Sequence, residues 1–220
     1  MFLTRMAINP ARRQSRFLLG SPQALHAAVL AGFPPGTPTG TVTGRVLWRV
    51  DEERDHVIWL YVVSPDKPDL THLVEQAGWP TQAAWETRDY ASFLGRIKAG
   101  QRWAFRLTAN PVRTVTSEDG ISKRLGHVTA AQQRDWLLER AGSNGFRVTE
   151  TVNGVPDVVV SNRVKRAFRR GEKRVTLSTA RFDGQLEVTS ADALRLLLSN
   201  GLGRAKGYGC GLLTLAPLQR

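Results

Sequence analysis

The stretch Gly201-Leu-Gly-Arg-Ala-Lys-Gly-Tyr-Gly-Cys-Gly211, followed by Leu212-Leu-Thr-Leu215, decides how the rest of the chain is interpreted. Glycine adopts backbone conformations closed to other residues and lets a ligand approach the main chain, and Arg204 and Lys206 place two cations in the same loop. Such a loop suits a phosphate group. Its glycines are Gly201, Gly203, Gly207, Gly209 and Gly211.

Two other interpretations of this loop compete with a phosphate site. A dinucleotide-binding fingerprint needs a strand before the glycines, a helix after them and an acidic residue about 20 positions further on. Here the order is reversed, because residues 190–200 predict a helix and the residues from Leu212 predict a strand. That order argues against a dinucleotide site, whereas a tight turn without any ligand stays open.

Four segments together resemble one known family. They are the loop itself with Gly209-Cys-Gly-Leu-Leu-Thr-Leu-Ala-Pro217, the start Phe2-Leu-Thr-Arg-Met-Ala-Ile-Asn9, the pair Leu25-His26 with Phe33-Pro34, and Arg106-Leu-Thr-Ala-Asn-Pro-Val-Arg-Thr114. The set is similar to the RAMP class of CRISPR proteins, and more narrowly to the endoribonucleases that process CRISPR RNA in type I-E systems, often called CasE. The resemblance spans nearly the whole chain.

The composition indicates a globular protein with a polyanionic partner. The chain has 220 residues, of which 41% are apolar, and its formal charge is 31 − 19 = +12. A pI near 10.9 favours nucleic acid or an acidic membrane surface as the partner. The lone cysteine, Cys210, excludes an internal disulfide, and no cluster of Cys and His predicts a zinc site.

The sequence predicts a cytoplasmic location. Residues 1–8 are too short for the apolar core of a signal peptide, and no apolar run approaches the roughly 20 residues that cross a bilayer. We therefore expect no membrane partner.

Two passes of similar element order predict an α+β fold of tandem ferredoxin-like (RRM-like, βαββαβ) domains with antiparallel sheets. The first pass has strands at 2–9, 43–50, 56–63 and 84–87 and helices at 21–32 and 70–77. The helix at 21–32 is expected to begin with Ser21 as its N-cap and Pro22 in its first turn, and helical spacing places His26 at the rim of the face that holds Leu25 and Val29. The second has a strand at 101–109, a helix at 129–141 with Thr129 as its cap, and strands at 146–152, 155–160, 175–182 and 185–188, the last two joined by a turn at Asp183-Gly184. The helix at 190–200 and the strand from Leu212 complete it. We expect one domain over residues 1–92, with the catalytic helix, and a second over 98–220, with the basic segment and the glycine-rich loop.

The segment from Asn162 to Arg174 carries seven cations against one acid, Glu172. A strand of this composition would be charged on both faces and would have to project from the core, with Gly171 near a turn. A short helix is the alternative, and an ordinary solvated surface is the alternative to binding. The resemblance implies a basic hairpin that holds an RNA stem. The cations are Arg163, Lys165, Arg166, Arg169, Arg170, Lys173 and Arg174.

RNA cleavage by the 2′-hydroxyl needs a proton acceptor, a proton donor and cations for the developing charge, and histidine suits both proton roles near neutral pH. Of the four histidines, His56, His72 and His127 lie in contexts that suggest nothing more than structural positions. His26 matches the catalytic histidine of the resembling family. The resemblance also implies a 2′,3′-cyclic phosphate or 3′-phosphate product, with no metal and no small-molecule cofactor.

The chain departs from the family pattern at Gln23, where family members often carry a tyrosine one turn before the histidine. Glutamine can hydrogen-bond a phosphate but cannot exchange a proton. Arg12, Arg13 and Arg16, which form a predicted basic connection, are candidates to supply positive charge. Cys210 is a poor nucleophile candidate, because no histidine lies near it in the sequence.

The leading hypothesis is a metal-independent endoribonuclease that cuts the repeat hairpin of CRISPR precursor RNA and stays bound to the mature crRNA. The resemblance implies that it does so with the other subunits of the Cascade complex. The alternative is a non-catalytic RNA-hairpin-binding subunit in which His26 is structural.

Overall fold

The computed structural model describes residues 1–37, 40–41, 44–53, 57–80, 85–117, 119–120, 122–170 and 172–218. The chain divides into two compact units. The first comprises Met1–Arg96 with Ser199–Gly201 and Lys206–Leu212, and the second comprises Ile97–Leu198, Leu202–Ala205 and Leu213–Arg220. Two segments of the glycine-rich region therefore pack with the first unit, whereas the sequence analysis placed the whole loop in a second domain.

The first unit is built on a four-stranded antiparallel sheet in the order β4-β5-β1-β6. A two-stranded pair, β2 with β3, precedes β4. The elements in chain order are β1 (Phe2–Ile8), α1 (Arg13–Gly20), α2 (Pro22–Leu30), β2 (Gly40–Thr41), β3 (Gly44–Arg45), β4 (Leu47–Glu52), β5 (Ile58–Ser64), α3 (Thr71–Ala77), β6 (Glu86–Asp89) and α4 (Ala91–Gly95).

One prediction for this unit is wrong. The predicted basic connection that holds Arg12, Arg13 and Arg16 is largely the helix α1, because Ser15 and Leu18, three positions apart, are buried on one face while Arg13 and Arg16 stay exposed. The strand predicted at 84–87 lies slightly later, at Glu86–Asp89. Thr43, His56 and Ala84, at the limits of three predicted strands, lie outside the described residues.

The second unit repeats the plan with an added hairpin. Its sheet runs β10-β12-β7-β13, with β11 paired to β12, and β8 pairs with β9 separately. The elements are β7 (Arg102–Ala109), β8 (Val112–Thr116), β9 (Ser122–Gly126), α5 (Ala130–Ala141), a 3₁₀ turn at Gly142–Asn144, β10 (Phe146–Val148), β11 (Val158–Arg170), β12 (Lys173–Val188), α6 (Ala191–Asn200), a 3₁₀ turn at Lys206–Tyr208 and β13 (Leu213–Ala216).

The turn predicted at Asp183-Gly184 is wrong, because β12 runs through it as one strand. Gly184 pairs with Phe105 of β7 on one side and with Val158 of β11 on the other, and a residue paired on both sides lies inside a sheet. The sequence analysis also missed the β8–β9 hairpin and extended the strand at Phe146 too far. The capping box that begins α5 at Thr129 confirms the predicted helix start.

The strand orders confirm the fold class. The two four-strand orders are β4-β5-β1-β6 and β10-β12-β7-β13. If the four strands of each unit are numbered along the chain, both orders read 2-3-1-4, which is the order of a ferredoxin-like domain. In the first unit, β1, β4 and β5 bury Met6, Trp48 and Leu60 against Leu25 and Val29 of α2. The chain is thus a tandem ferredoxin-like α+β protein.

Candidate active site

Helix α2 presents His26 at the edge of its buried face. The helix begins as predicted, with Pro22 in the first turn and the Ser21 hydroxyl accepting a hydrogen bond from the Ala24 amide at 3.3 Å. Leu25 and Val29, four positions apart, are buried in the core. His26 follows Leu25 around the helix and is therefore only partly buried, at the rim of the buried face.

The imidazole of His26 has a partner that the sequence analysis missed. The indole Nε1 of Trp48, on β4, donates a hydrogen bond to Nδ1 of His26 over 3.2 Å. Trp48 is 3% exposed and belongs to the core of the first unit. A buried tryptophan is a rigid platform with one donor, so this contact fixes the orientation of the ring.

The glycine-rich loop lies against this pair. A Cβ atom at Gly207 would stand 3.2 Å from His26 Nε2, and a Cβ at Gly209, whose φ is +77°, would stand 2.7 Å from the Trp48 ring. Any side chain at Gly209 would collide with the indole in a conformation that favours glycine. Glycine is thus needed at position 209, whereas a Cβ at position 207 would displace the His26 ring by a few tenths of an ångström.

A buried ion pair holds the end of the loop. Arg49 donates from Nε and Nη2 to the two carboxylate oxygens of Asp51, each over 2.8 Å, and from Nη1 to the Leu212 carbonyl over 2.9 Å. Both charged side chains are at most 3% exposed. The pair is bidentate, and its third hydrogen bond ties β4 to the residue that follows the glycines.

The two cations of the loop differ in their surroundings. Lys206 is partly buried, and its pKa is lowered first by that burial and then by the positive charge of Arg45. Arg204 is exposed and belongs to the second unit. Lys206 and Arg45 therefore form a pair of mutually repelling cations in the first unit, which an anion would stabilise.

The supporting residues named from the sequence have separate positions. Gln23 is exposed on α2, one turn before His26. Arg12 donates from Nη1 to the carbonyls of Val74 and Glu75, at 3.2 and 2.5 Å, and so satisfies carbonyls near the end of α3. Arg13 and Arg16 lie exposed on α1.

The basic segment forms a hairpin, and the alternative of a short helix is wrong. Strand β11 pairs with β12 to the end, where Arg169 faces Arg174 and Arg170 faces Lys173. Lys165 and Arg166 are exposed. Arg163 lies in the register irregularity between Ser161 and Val164 and donates from Nη2 to the Val128 carbonyl. Gly171 and the side chains of Arg169, Arg170, Lys173 and Arg174 lie outside the described part.

Other groups offer little to a reaction. Cys210 is fully buried, and burial raises the pKa of its thiol to about 12. A cleft of about 510 Å³ lies beyond the C-terminal end of α2, where Lys67 and His72 are among its lining residues. Within the described ranges, no three His, Cys, Asp or Glu side chains are grouped to hold a metal ion. No helix in the same ranges has the length and apolar character needed to span a membrane.

Comparison with known proteins identifies the family to which the chain is related. A family model described as CRISPR associated protein matches residues 1–217. The CRISPR-associated endoribonuclease Cse3 of Thermus thermophilus is 28% identical, over 99% of this chain and 100% of that protein. The CRISPR system Cascade subunit CasE of Escherichia coli K12 is 31% identical, over 77% of this chain and 85% of that protein.

A solved structure agrees with the same relationship. The CRISPR endoribonuclease Cse3 bound to a 19-nucleotide RNA has a TM-score of 0.82 and 29% identity, with 99% of this chain and 100% of that chain covered. The four segments singled out in the sequence thus lie within a match that extends over almost the whole chain. The chain belongs to the CRISPR-associated protein family, in the type I-E group that contains Cse3 and CasE.

Proposed function

We propose that the protein is an endoribonuclease that binds and cleaves the repeat hairpin of CRISPR precursor RNA and stays bound to the mature crRNA. The observation that carries the proposal is the position of His26, whose Nε2 edge faces the glycine-rich loop at Gly207. An imidazole suits the proton transfer of metal-independent cleavage by a 2′-hydroxyl, and a glycine-rich loop with cations suits the stabilisation of charge on the phosphate. An endoribonuclease name in one relative and a bound RNA in a solved structure support the same conclusion.

The proposed reaction is an in-line transfer at phosphorus. The 2′-oxygen forms a bond to the phosphorus while the bond from phosphorus to the 5′-oxygen breaks, and the products are a 2′,3′-cyclic phosphate and a free 5′-hydroxyl. The 2′-hydroxyl loses a proton and the 5′-oxygen gains one. His26 serves this proton transfer, because an ordinary imidazole exchanges protons near neutral pH. Gln23 orients the RNA by hydrogen bonding.

Charge on the transferring phosphate is stabilised by Lys206, with the main chain of the glycine-rich loop. The pKa of Lys206 is lowered by burial and by Arg45, so a bound phosphate restores a favourable partner to both cations. Arg204, exposed in the second unit, is a further candidate for binding an RNA phosphate. Arg13 and Arg16, exposed on α1, lie free of the helix-end contact that occupies Arg12 and remain candidates for binding the RNA strand.

The basic hairpin of β11 and β12 holds the RNA stem. Duplex RNA is recognised through its phosphates, its 2′-hydroxyls and its shape, because its major groove is deep and narrow. A projecting strand pair with exposed Lys165 and Arg166 matches that need. The name of the CasE relative supports the other Cascade subunits as further partners.

The second candidate function is a non-catalytic RNA-hairpin-binding subunit, and Gln23 is the observation that favours it. A labelled repeat hairpin incubated with excess protein and a chelator separates the two. Cleavage in the chelator to a 2′,3′-cyclic phosphate is the expected result. Tight binding without cleavage, with or without added Mg²⁺, would support the binding subunit, and cleavage that appears only with Mg²⁺ on pre-folded RNA would refute the metal-independent reaction.

A further inference from the structure

The contact between Trp48 and His26 restricts the proton chemistry of the ring. An indole N–H is a donor only, so Nδ1 of His26 accepts the 3.2 Å hydrogen bond through its lone pair and carries no proton. A neutral imidazole has one N–H, and the contact therefore fixes it on Nε2. The Trp48 contact thus fits the neutral Nε2–H tautomer of His26.

This tautomer is unsuited to either proton role at Nε2. A base needs a lone pair on Nε2, and that nitrogen holds the proton here. The form of histidine that can act as an acid near neutral pH is the imidazolium, which carries a proton on both nitrogens. Its Nδ1–H would face the N–H of Trp48, so that two donors would lie opposite each other. Each competent state of His26 thus requires the loss of the Trp48 hydrogen bond.

We propose that Trp48 is a positioning residue that holds His26 in a resting tautomer, and that binding of the RNA substrate releases the ring. The catalytic meaning of this inference rests on the proposed function, but the tautomer itself does not. Trp48 is 3% exposed and fixed in the core, so the ring of His26, at the partly exposed edge of α2, is the partner that moves.

An anionic ligand supplies the driving force for release. A phosphate at the glycine-rich loop favours the imidazolium, because a charge-assisted hydrogen bond from Nε2–H is about twice as strong as a neutral one. The bond that must be given up, from indole to imidazole, joins two neutral groups. Nε2 lies close to Gly207, so His26 would exchange its hydrogen bond with Trp48 for one with a phosphate at this loop.

Nitrogen-15 spectra of the histidine rings test the tautomer without any measurement of activity. The free protein is expected to show His26 as the Nε2–H tautomer, with a His26→Ala spectrum used to assign the signal. A complex with a hairpin that carries 2′-deoxyribose at the scissile nucleotide, which binds but cannot react, is expected to lose that signature. An unchanged Nε2–H signal in the saturated complex would overturn the proposal, as would an Nδ1–H tautomer in the free protein.

Hairpin binding by Trp48→Phe tests the same inference independently. The variant keeps an aromatic ring but removes the donor, so binding no longer has to break that hydrogen bond, and hairpin affinity is expected to rise about two- to tenfold, the equilibrium worth of one hydrogen bond. Trp59→Phe, on β5, serves as the matched control. An affinity of Trp48→Phe that is unchanged or weaker would refute the restraint. If wild-type protein does not cleave at all, the proposed function fails while the spectra still decide the tautomer.

Discussion

The close approach of Gly207 to His26 allows the geometry of the site to be tested with a single methyl group. A Cβ at position 207 would lie 3.2 Å from His26 Nε2, so the ring has to give way by a few tenths of an ångström. A catalytic group misplaced by about 1 Å can cost about 10² in rate, so in proportion a shift of about 0.3–0.5 Å costs about four- to tenfold. Gly207→Ala is expected to slow cleavage by that factor.

The assay is single-turnover cleavage at saturating protein, with hairpin affinity measured in parallel by filter binding. Affinity should stay within about twofold, because the change leaves every cation in place. Gly95→Ala is the matched control, since a Cβ at Gly95 meets nothing within 4 Å. The decisive comparison repeats Gly207→Ala in a His26→Ala background, where the loss should disappear. An equal loss with and without His26 would show that the methyl group acts elsewhere and would refute the reasoning.

Three further predictions concern the hairpin, the ion pair and the thiol. Replacing both Lys165 and Arg166 by glutamine should reduce the steepness of log K for hairpin binding against log salt by about 1.4–1.8, at about 0.7–0.9 per phosphate contact, while the cleavage rate at saturating protein stays the same. An unchanged slope would mean that neither side chain contacts a phosphate. Arg49→Met should lower the free energy of unfolding in a urea titration by about 3–5 kcal/mol, because it leaves the buried Asp51 carboxylate without its ion-pair partner. Arg5→Met removes an exposed ion pair and should lower it by less than about 1 kcal/mol. Similar losses in the two variants would mean that burial does not set the cost of breaking an ion pair. Cys210, whose pKa is raised to about 12, should resist iodoacetamide at pH 8 in the native protein and react once urea unfolds it; rapid native alkylation would contradict its burial.

Local signals in the sequence were sufficient to predict those elements whose structure is determined by a short segment of the chain. Ser21 followed by Pro22 correctly predicted the start of α2, and Thr129 correctly predicted the cap of α5. The charge density after Asn162 excluded a half-buried strand and indicated a segment that projects from the core, whereas the hairpin was implied by the family resemblance. His26 was placed on the rim of its helix by spacing alone, because Leu25 and Val29 define the buried face.

The features that depend on distant contacts could not be predicted. Trp48 lies 22 positions from His26 in the chain, and nothing in its own segment distinguishes a site residue from a core tryptophan. The burial of Arg49 depends on the Leu212 carbonyl, 163 positions away. The Asp183-Gly184 pair is a strong turn signal that the ladder with two neighbouring strands overrides.

The central claim is that His26 carries the proton transfer of an RNA cleavage reaction. Single-turnover cleavage of a labelled repeat hairpin by His26→Ala, in chelator and at saturating protein, tests it most directly, with His127→Ala as a control from the second unit. The rate should fall by about 10²- to 10⁴-fold in the first variant while hairpin affinity stays nearly intact. Cleavage by His26→Ala at close to the wild-type rate would contradict the claim.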